Sequence, residues 1–492
     1  MTIVELALFA LPLGIASVAV WRRPAVALYL FVVGLALHNA AMAALYAAGV
    51  RGTALTAIAA WKEILLAVAL LRVGRDAVRE GELPFRPGLA DGLALAFGAL
   101  ALLYALVPQS ALGGEADRKA VALALRHDLV PVAAYFLGRS LRLGLADLRR
   151  LGWTLLGTAA FVAALGLVDV YAVPIGWWRT NGVVDYFHKQ LGYDYHGTGE
   201  NPNVAGLPEN FVYNVGGDRP FLRRLVSTFL SPLGSSYLFV VALLGLVAVL
   251  RRPRPAALFL GAVTAAGLLW TFSRSALLAL AVGLVVLSVL RRRPHELVAA
   301  VAVVGIAVAW AHVFPKIAPT GNWTKADLVY QHRLAAQHPG ASNAPASVNE
   351  SSLREHWQSL KTGVSTIVHH PQGYGLGNVG QTASRTGTPL KAGESNYTEL
   401  GVELGLVGAL LWTAWCLALF VGLLRAGRLD RWAAAAAAGF AAILALALQT
   451  DVIGDPWVAY CVWIFGGSLA LVGSKVAAPA VSRAVAPEPG PS

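Results

Sequence analysis

Arginine and glutamate side chains stand at the ends of several long apolar runs, where a charge needs a partner. Arg274 lies in the turn Trp270-Thr-Phe-Ser-Arg-Ser275 between two such runs, and Glu394 comes just before another. A charge at the edge of a membrane usually faces the interior of a helix bundle or a wet cavity. This favours a functional role for Arg274. For Glu394, an ordinary carboxylate at a helix start is an equally good interpretation.

Two more cations lie on a segment with helical periodicity. Ser352 and Glu355 have the spacing of a capping box, which predicts a helix start at Ser352. The apolar residues that follow recur at intervals of three and four, which predicts one buried stripe. Its members are Leu353, Trp357, Leu360, Val364 and Ile367. Arg354 and Lys361 follow the same spacing one position on and should share a face beside this stripe.

Two other segments have chemistry suited to an anion. Arg223 and Arg224 stand at the mouth of an apolar run, where they could extend to lipid phosphates or bind an anionic ligand. The sequence does not decide between these. The glycine-rich segment from Gly373 to Gly380 would let the backbone approach a ligand closely, as in a generic anion-accepting turn.

The elements that must position these residues are membrane helices. The 492 residues are 57% hydrophobic and 13% charged, too little polar surface for a soluble globule. About thirteen runs approach the roughly 20 apolar residues of a spanning helix. They lie near 3–20, 24–48, 52–72, 88–107, 119–139, 151–174, 232–250, 256–271, 276–290, 297–314, 402–424, 432–450 and 457–474. We predict an all-α polytopic membrane protein with about 12–13 transmembrane helices.

Arginine clusters in every second connection predict the orientation, because cytoplasmic loops are rich in such residues. The polar segments 175–224 and 315–397 are then both extracytoplasmic, and the second is a large, partly helical loop. The net charge of +12 is mostly this topological arginine, so no nucleic-acid partner is expected. The predicted units are a bundle of about six spans (1–174), a loop (175–224), central helices (225–314), the large catalytic loop (315–397), C-terminal helices (398–475) and a cytoplasmic tail (476–492).

The order of the motifs resembles the O-antigen ligase and polymerase superfamily over roughly residues 225–425. The motifs are Ser273-Arg-Ser275, Arg354 on an amphipathic helix, His370-Pro-x-Gly-x-Gly375, and Glu394-Ser-x9-Gly405-x-x-Gly408. The resemblance implies a GT-C-like, multi-pass glycosyltransferase of the bacterial cytoplasmic (inner) membrane, with its active site on the periplasmic side. It implies an undecaprenyl-diphosphate-linked glycan donor, a glycan or lipid-linked acceptor, and no metal or other cofactor.

The resemblance also suggests roles for individual residues. Matched position by position, Arg274 and Arg354 correspond to the arginines that hold the donor diphosphate. Glu394 stands where ligases of the superfamily have a histidine proposed as base, so it is the predicted catalytic residue. This departure favours a polymerase-like member over a ligase that acts on a lipid core. Arg224, Lys361 and His356 are further predicted substrate-binding residues.

These residue types suit metal-independent glycosyl transfer. Guanidinium groups bind phosphate oxygens bidentately and stay charged, so they can replace a divalent metal at a diphosphate leaving group. A carboxylate can accept the proton of an acceptor hydroxyl during attack on the anomeric carbon opposite the diphosphate, which gives inversion.

Other interpretations remain open. A transporter or flippase of lipid-linked sugars would use the ionisable residues within apolar runs as a pathway, and pairing of these residues with one another is an equally good explanation. They are Lys62, Glu63, Arg126 and Asp128. A non-catalytic scaffold would tolerate removal of all these charges. His188, His196 with Glu200, and the pair His369 and His370 have no recognised ligand spacing, so no metal site is expected.

Overall fold

The protein is described by a computed structural model over residues 3–193, 207, 210–216, 218–250, 254–325, 327–329, 332, 336, 344, 347, 350–392 and 394–470. His196, Glu200 and the predicted tail (476–492) lie outside these residues. The helices are α1 (Ile3–Arg22), α2 (Val26–Ala47), α3 (Gly52–Ala59), α4 (Trp61–Glu80), α5 (Leu89–Leu106), α6 (Arg118–Ser140), α7 (Leu145–Ala172), α8 (Ile175–Thr180), α9 (Val183–Asp185), α10 (Pro232–Val249), α11 (Pro255–Trp270), α12 (Arg274–Arg291), α13 (Pro294–Ile317), α14 (Ser351–His369), α15 (Gly380–Thr386), α16 (Asn396–Gly427), α17 (Arg431–Leu446) and α18 (Val458–Leu469).

The predicted fold class is confirmed. In the described part, nine segments are long and apolar enough to cross a membrane, and four shorter apolar helices accompany them. Each of the thirteen predicted runs coincides with one of these. Buried tryptophans pack where the later helices meet, with the rings of Trp412 and Trp463 stacked at 5.5 Å. The protein is an all-α polytopic membrane protein.

A small antiparallel sheet joins the two long polar segments. Its strands are β1 (Val212–Tyr213), β2 (Phe221–Arg223) and β3 (Thr320–Gly321), in that spatial order. In the register, Val212 pairs with Arg223, and Leu222 pairs with Thr320. β1 and β2 come from the first polar segment and β3 from the second, so the two segments form one unit at this point.

A break in α16 anchors the second polar segment to the bundle. Gly405 has φ of +70° and ψ of −174°, which interrupts the helix. The carbonyls of Val402 and Glu403 accept hydrogen bonds from the amides of Tyr374 (2.7 Å) and Gly375 (3.0 Å). The Leu406 amide in turn donates to the carbonyl of Pro371 at 2.8 Å. Backbone groups released by the break are thereby satisfied by the segment that follows α14.

This packing corrects our interpretation of the glycine-rich segment. The glycines approach protein groups rather than leave space for a ligand. The Gly377 amide donates to the Glu403 carboxylate at 2.8 Å, and a Cβ at Gly377 would come within 2.8 Å of Ala120. Since Gly377 also has φ of +82°, its place in the turn requires glycine.

Two predictions about α14 are also wrong. The helix begins at Ser351, and its N-cap is Glu350, whose carboxylate accepts the Leu353 amide at 3.1 Å. The apolar stripe is mostly exposed: Ile367 is buried, but Leu353, Trp357 and Val364 are at least 50% exposed. The periodicity correctly indicates an amphipathic helix. Such a face can lie against lipid as well as against protein, and α14 has the pattern of an interfacial helix.

The ionisable residues within the apolar helices pair with one another. Arg126 contacts Glu63 at 2.9 Å, and Lys62 lies 3.6 Å from the same carboxylate. Asp128, which is fully buried, pairs with His127 rather than with Arg126. Pairing of this kind is what permits charged side chains within a membrane bundle.

The conformation of Gly405 generates a test of stability. An alanine here would adopt an unfavourable φ, and its Cβ would overlap the Pro371 carbonyl, so we expect Gly405→Ala to destabilise the protein by at least about 2 kcal/mol. Gly422→Ala is the matched control, because Gly422 lies in the same helix and its Cβ would meet only Ala470 at 3.8 Å. Thermal unfolding in detergent at one heating rate measures both variants. Equal midpoints would contradict a structural role for the break.

Candidate functional site

Arg274 lies at the first position of α12 and forms an ion pair with the cap of α14. Its Nη2 is 2.9 Å from Oε2 of Glu350, whose side chain is 3% exposed. The hydroxyl of Tyr213 donates to the other oxygen of this carboxylate at 3.0 Å. Burial first, and then the negative charge of Glu350, raise the pKa of Tyr213. The phenol therefore remains a neutral donor, and the turn before α12, strand β1 and α14 meet at one carboxylate.

A second arginine adds positive charge beside Arg274. Arg224 follows β2, and its Nε donates to the Thr271 carbonyl at 2.9 Å. Burial and, to a smaller extent, the Arg274 charge lower the pKa of Arg224 to about 10, against the opposing effects of Tyr213 and Glu350. The group still carries its charge near pH 7. Two neighbouring guanidinium groups, one of them poorly solvated, make a region suited to an anion.

The neighbouring Arg223 has a different environment. It is buried and pairs with Asp169 near the end of α7, with Nη2 and Oδ1 3.4 Å apart. Its Nη1 donates to the Val173 carbonyl at 2.5 Å. Arg223 thus joins β2 to α7 within the protein, and of the two arginines only Arg224 lies beside Arg274.

Arg354 and Lys361 occupy an exposed face of α14. Arg354 is one turn beyond the Glu350 cap, and its amide donates to the Glu350 carbonyl. Lys361 places its ammonium 5.2 Å from the ring centroid of Trp357, a cation–π geometry. The predicted shared face is therefore consistent with the structure. This face is an exposed surface rather than a closed pocket.

Glu394 lies just before α16 and is hydrogen-bonded to His356 of α14. Nδ1 of His356 is 2.8 Å from Oε2 of Glu394, and the two side chains are 30% and 53% exposed. An ionised carboxylate only accepts hydrogen bonds, so Nδ1 carries the hydrogen in this pair. The contact exists because this face of α14 packs on α16, where Gly363 fits against Thr398. Glu394 is thus oriented by protein but open to solvent.

A cluster of largely buried polar side chains is centred on His127 of α6. His127 bridges Asp128 and Asp451, with 2.9 Å to each carboxylate. The side chains of Glu399 and Glu403 are also buried. No three histidine, cysteine, aspartate or glutamate side chains in the described part are arranged to hold a metal ion.

Helix α14 relates the predicted site residues to one another. Glu350 contacts Arg274, and His356, six residues later, contacts Glu394. At 1.5 Å per residue these contacts are about 9 Å apart along the helix. Arg354 lies about 200° around the helix from His356, so Arg274, Arg224 and Arg354 belong to one side of α14 and Glu394 to another.

Sequence reasoning missed Glu350 and Tyr213, the two partners of Arg274. Glu350 immediately precedes a pair of serines, which are better N-cap residues by intrinsic preference, so its role carried no local signal. Tyr213 is 137 residues from Glu350 in the chain. Its contact with Glu350 depends on the position of strand β1, which the local sequence does not indicate.

Comparison with known protein families gives a match over the region that holds most of these residues. No curated protein matches the chain. Residues 256–413 match the family model described as O-Antigen ligase. The match begins in α11 and ends within α16, so it includes Arg274, Arg354, His356 and Glu394. The predicted resemblance to the O-antigen ligase and polymerase superfamily is confirmed for this region of the chain.

Proposed function

We propose that the protein is a metal-independent, inverting glycosyltransferase that polymerises or transfers glycan from an undecaprenyl-diphosphate donor to an acceptor hydroxyl. It would act at the outer face of the bacterial cytoplasmic membrane. The observation that carries the proposal is the arrangement on α14: its cap holds Arg274 beside Arg224, and its second turn holds Glu394 through His356. The arginine proposed to stabilise the leaving group and the carboxylate proposed as base for the acceptor hydroxyl are thus both held by α14.

In this mechanism the donor diphosphate binds at Arg274 and Arg224, with Arg354 contributing from the exposed face. A guanidinium has five N–H donors, so the pairing of Arg274 with Glu350 is compatible with phosphate binding. The acceptor hydroxyl loses its proton to Glu394 as its oxygen bonds to the anomeric carbon. The bond from that carbon to the diphosphate breaks, and the electron pair leaves on the phosphate oxygen, where the arginines stabilise it.

His356 positions the base in this proposal. Its hydrogen bond to Glu394 fixes the carboxylate, and its Nε2 remains available to a sugar hydroxyl. Lys361 lies two turns from Arg354 on the exposed side of α14 and would contact more distant parts of the glycan or lipid phosphate. Because a glutamate replaces the histidine proposed as base in the ligases, we favour glycan polymerisation. Ligation to a lipid core is the alternative that the family description itself favours.

Transport of lipid-linked sugars is the alternative from another class. Interrupted helices are typical of transporters, and the chain has interruptions at Ala60 and Gly405. The Gly405 interruption is occupied by the backbone of Pro371 and Tyr374–Gly375. Lys62, Glu63 and Arg126 form a closed set of ion pairs. The Gly405 interruption and the buried charges therefore have structural explanations, which is why we favour glycosyl transfer over transport.

Replacement of the proposed base gives the first test of activity. We expect Glu394→Gln to lower the turnover of purified enzyme, supplied with a lipid-diphosphate glycan and an acceptor, by at least about 100-fold. His356→Gln should cause a smaller loss. Melting temperatures should stay near that of the wild type, since the pair is largely exposed and such pairs contribute little stability. Undiminished turnover in Glu394→Gln would exclude this residue as the base.

Replacement of the arginines tests the diphosphate site. Arg274→Ala and Arg354→Ala should each lower turnover, by about 100-fold for the loss of a strong leaving-group stabiliser. Arg274→Lys and Arg354→Lys should recover only part of it, because lysine lacks the bidentate fork. Arg142→Ala is the control, since Arg142 is exposed in the connection before α7, at the opposite end of the bundle. Rates equal to the control would remove either arginine from the site.

Metal removal distinguishes the proposed mechanism from a metal-assisted one. Transfer by the wild-type enzyme should persist in excess EDTA, because arginines provide the positive charge at the diphosphate. The measurement is the initial rate with and without chelator, followed by addition of Mg²⁺ or Mn²⁺. Complete loss with EDTA and recovery with a metal would contradict the metal-independent mechanism.

A further inference from the structure

A large apolar cavity lies at the end of the bundle opposite the candidate site. Its volume is about 690 Å³, within the range of about 300–1,000 Å³ typical of ligand pockets. The walls come from the first half of α7, the second half of α10, the starts of α11 and α17, and the end of α18. Among the lining side chains are Leu155, Val241, Leu246, Phe440 and Phe465.

The direction of the helices establishes which end this is. α10 begins near Arg224 and lines the cavity only from Val241 onward, so the cavity lies toward its far end. α17 begins there, and its residues from Arg431 to Phe440 line the walls. The arginine clusters of the sequence are at this same end, which the positive-inside rule predicts to be cytoplasmic.

Three arginines belong to the cavity lining in addition to the apolar walls. Arg149 lies in the first turns of α7, Arg254 is the N-cap residue of α11, and Arg431 begins α17. Arg149 and Arg254 are exposed. Arg431 donates from Nη1 to the Val249 carbonyl at 3.3 Å, so it joins α17 to the end of α10. Positive charge is therefore gathered at the polar edge of an apolar pocket.

The acidic residue next to Arg431 in the chain binds backbone amides rather than one of these cations. Asp430 precedes Arg431, and its carboxylate accepts hydrogen bonds from the amides of Trp432 (2.8 Å) and Ala433 (3.0 Å). It thus caps α17. Two lining tryptophans, Trp153 and Trp432, belong to the same region, and tryptophan is enriched at the level of lipid headgroups.

We propose that this cavity binds an anionic phospholipid, with acyl chain in the apolar pocket and the phosphodiester at Arg149, Arg254 and Arg431. Basic pockets between transmembrane helices on the cytoplasmic side are suited to anionic headgroups. The polyprenyl chain of a donor is a poorer occupant. Its diphosphate would lie at the other end of the bundle, and its hydrocarbon terminus would give three arginines no anion to bind.

Binding is tested with the full-length protein, stripped of lipid in neutral detergent. Phosphatidylglycerol and phosphatidylcholine with the same acyl chains are added separately. Native mass spectrometry counts retained lipid, and thermal unfolding follows the stabilisation that a bound ligand produces. We expect phosphatidylglycerol to bind at least about 10-fold more tightly than phosphatidylcholine. Equal binding of the two lipids would overturn the proposal.

Matched charge variants identify the headgroup site. The combined variant Arg149→Gln, Arg254→Gln, Arg431→Gln should bind phosphatidylglycerol about 10- to 100-fold more weakly. The control, Arg22→Gln, Arg79→Gln, Arg142→Gln, removes three exposed arginines from the predicted cytoplasmic end that do not line the cavity. It should bind like the wild type. Equal losses in both variants would show general surface attraction and contradict a specific site.

A cavity-filling variant tests the acyl pocket without removing charge. Gly245 lines the cavity, and an added Cβ would meet only Leu155, at 4.0 Å. Gly245→Leu should keep the fold, because leucine is a better helix former, but lose bound phosphatidylglycerol. Retention of the lipid in this variant, or displacement of it from the wild type by undecaprenyl phosphate, would count against the assignment.

Discussion

The interruption of α16 at Gly405 is the constraint on which the position of the functional segment depends. A continuous helix would bond its own carbonyls internally and present only side chains to its surroundings. Here the carbonyls of Val402 and Glu403 are bonded instead to Tyr374 and Gly375. The polar segment is joined to a membrane helix through backbone groups, which do not depend on the identity of a side chain. His356 belongs to α14, which precedes the polar segment of this junction, and Glu394 lies just before α16.

Around that junction, charge is distributed unevenly. On one side of α14, Arg224, Arg274 and Arg354 accumulate, and the buried carboxylate of Glu350 lies near Arg274 and Arg224. On the other side, Glu394 is held by a histidine and adjoins the buried carboxylates of Glu399 and Glu403. A donor with a charged leaving group and an acceptor that must lose a proton have opposite requirements. In the proposed mechanism, the cationic side of α14 would serve the donor and the side with Glu394 would serve the acceptor.

Features set by local composition were predictable from the sequence, and features set by tertiary contacts were not. Apolar length is a local property, so all thirteen runs were located. The Glu350 cap was missed because its advantage comes from Arg274, which is distant in the chain. The stripe on α14 was predicted as buried because periodicity reports amphipathicity and cannot distinguish a protein surface from a lipid one. Motif order predicted Arg274, Arg354 and Glu394 as site residues, whereas the pairing of Glu394 with His356 required the packing of α14 on α16.

Two of the three contacts made by the Glu350 carboxylate have a consequence for the unbound and bound states of Arg274. One bond begins a helix, through the Leu353 amide, and the other neutralises Arg274. Arg274 and the first turn of α14 both contact the Glu350 carboxylate. An anion that draws the guanidinium away from Glu350 therefore changes the charge at the start of the helix. Occupancy of the arginines and order in the first turn of α14 are therefore thermodynamically linked, and by reciprocity anything that steadies this turn alters anion affinity. Through the Glu350 cap, the first turn of α14 would respond to an anion bound at Arg274 and Arg224.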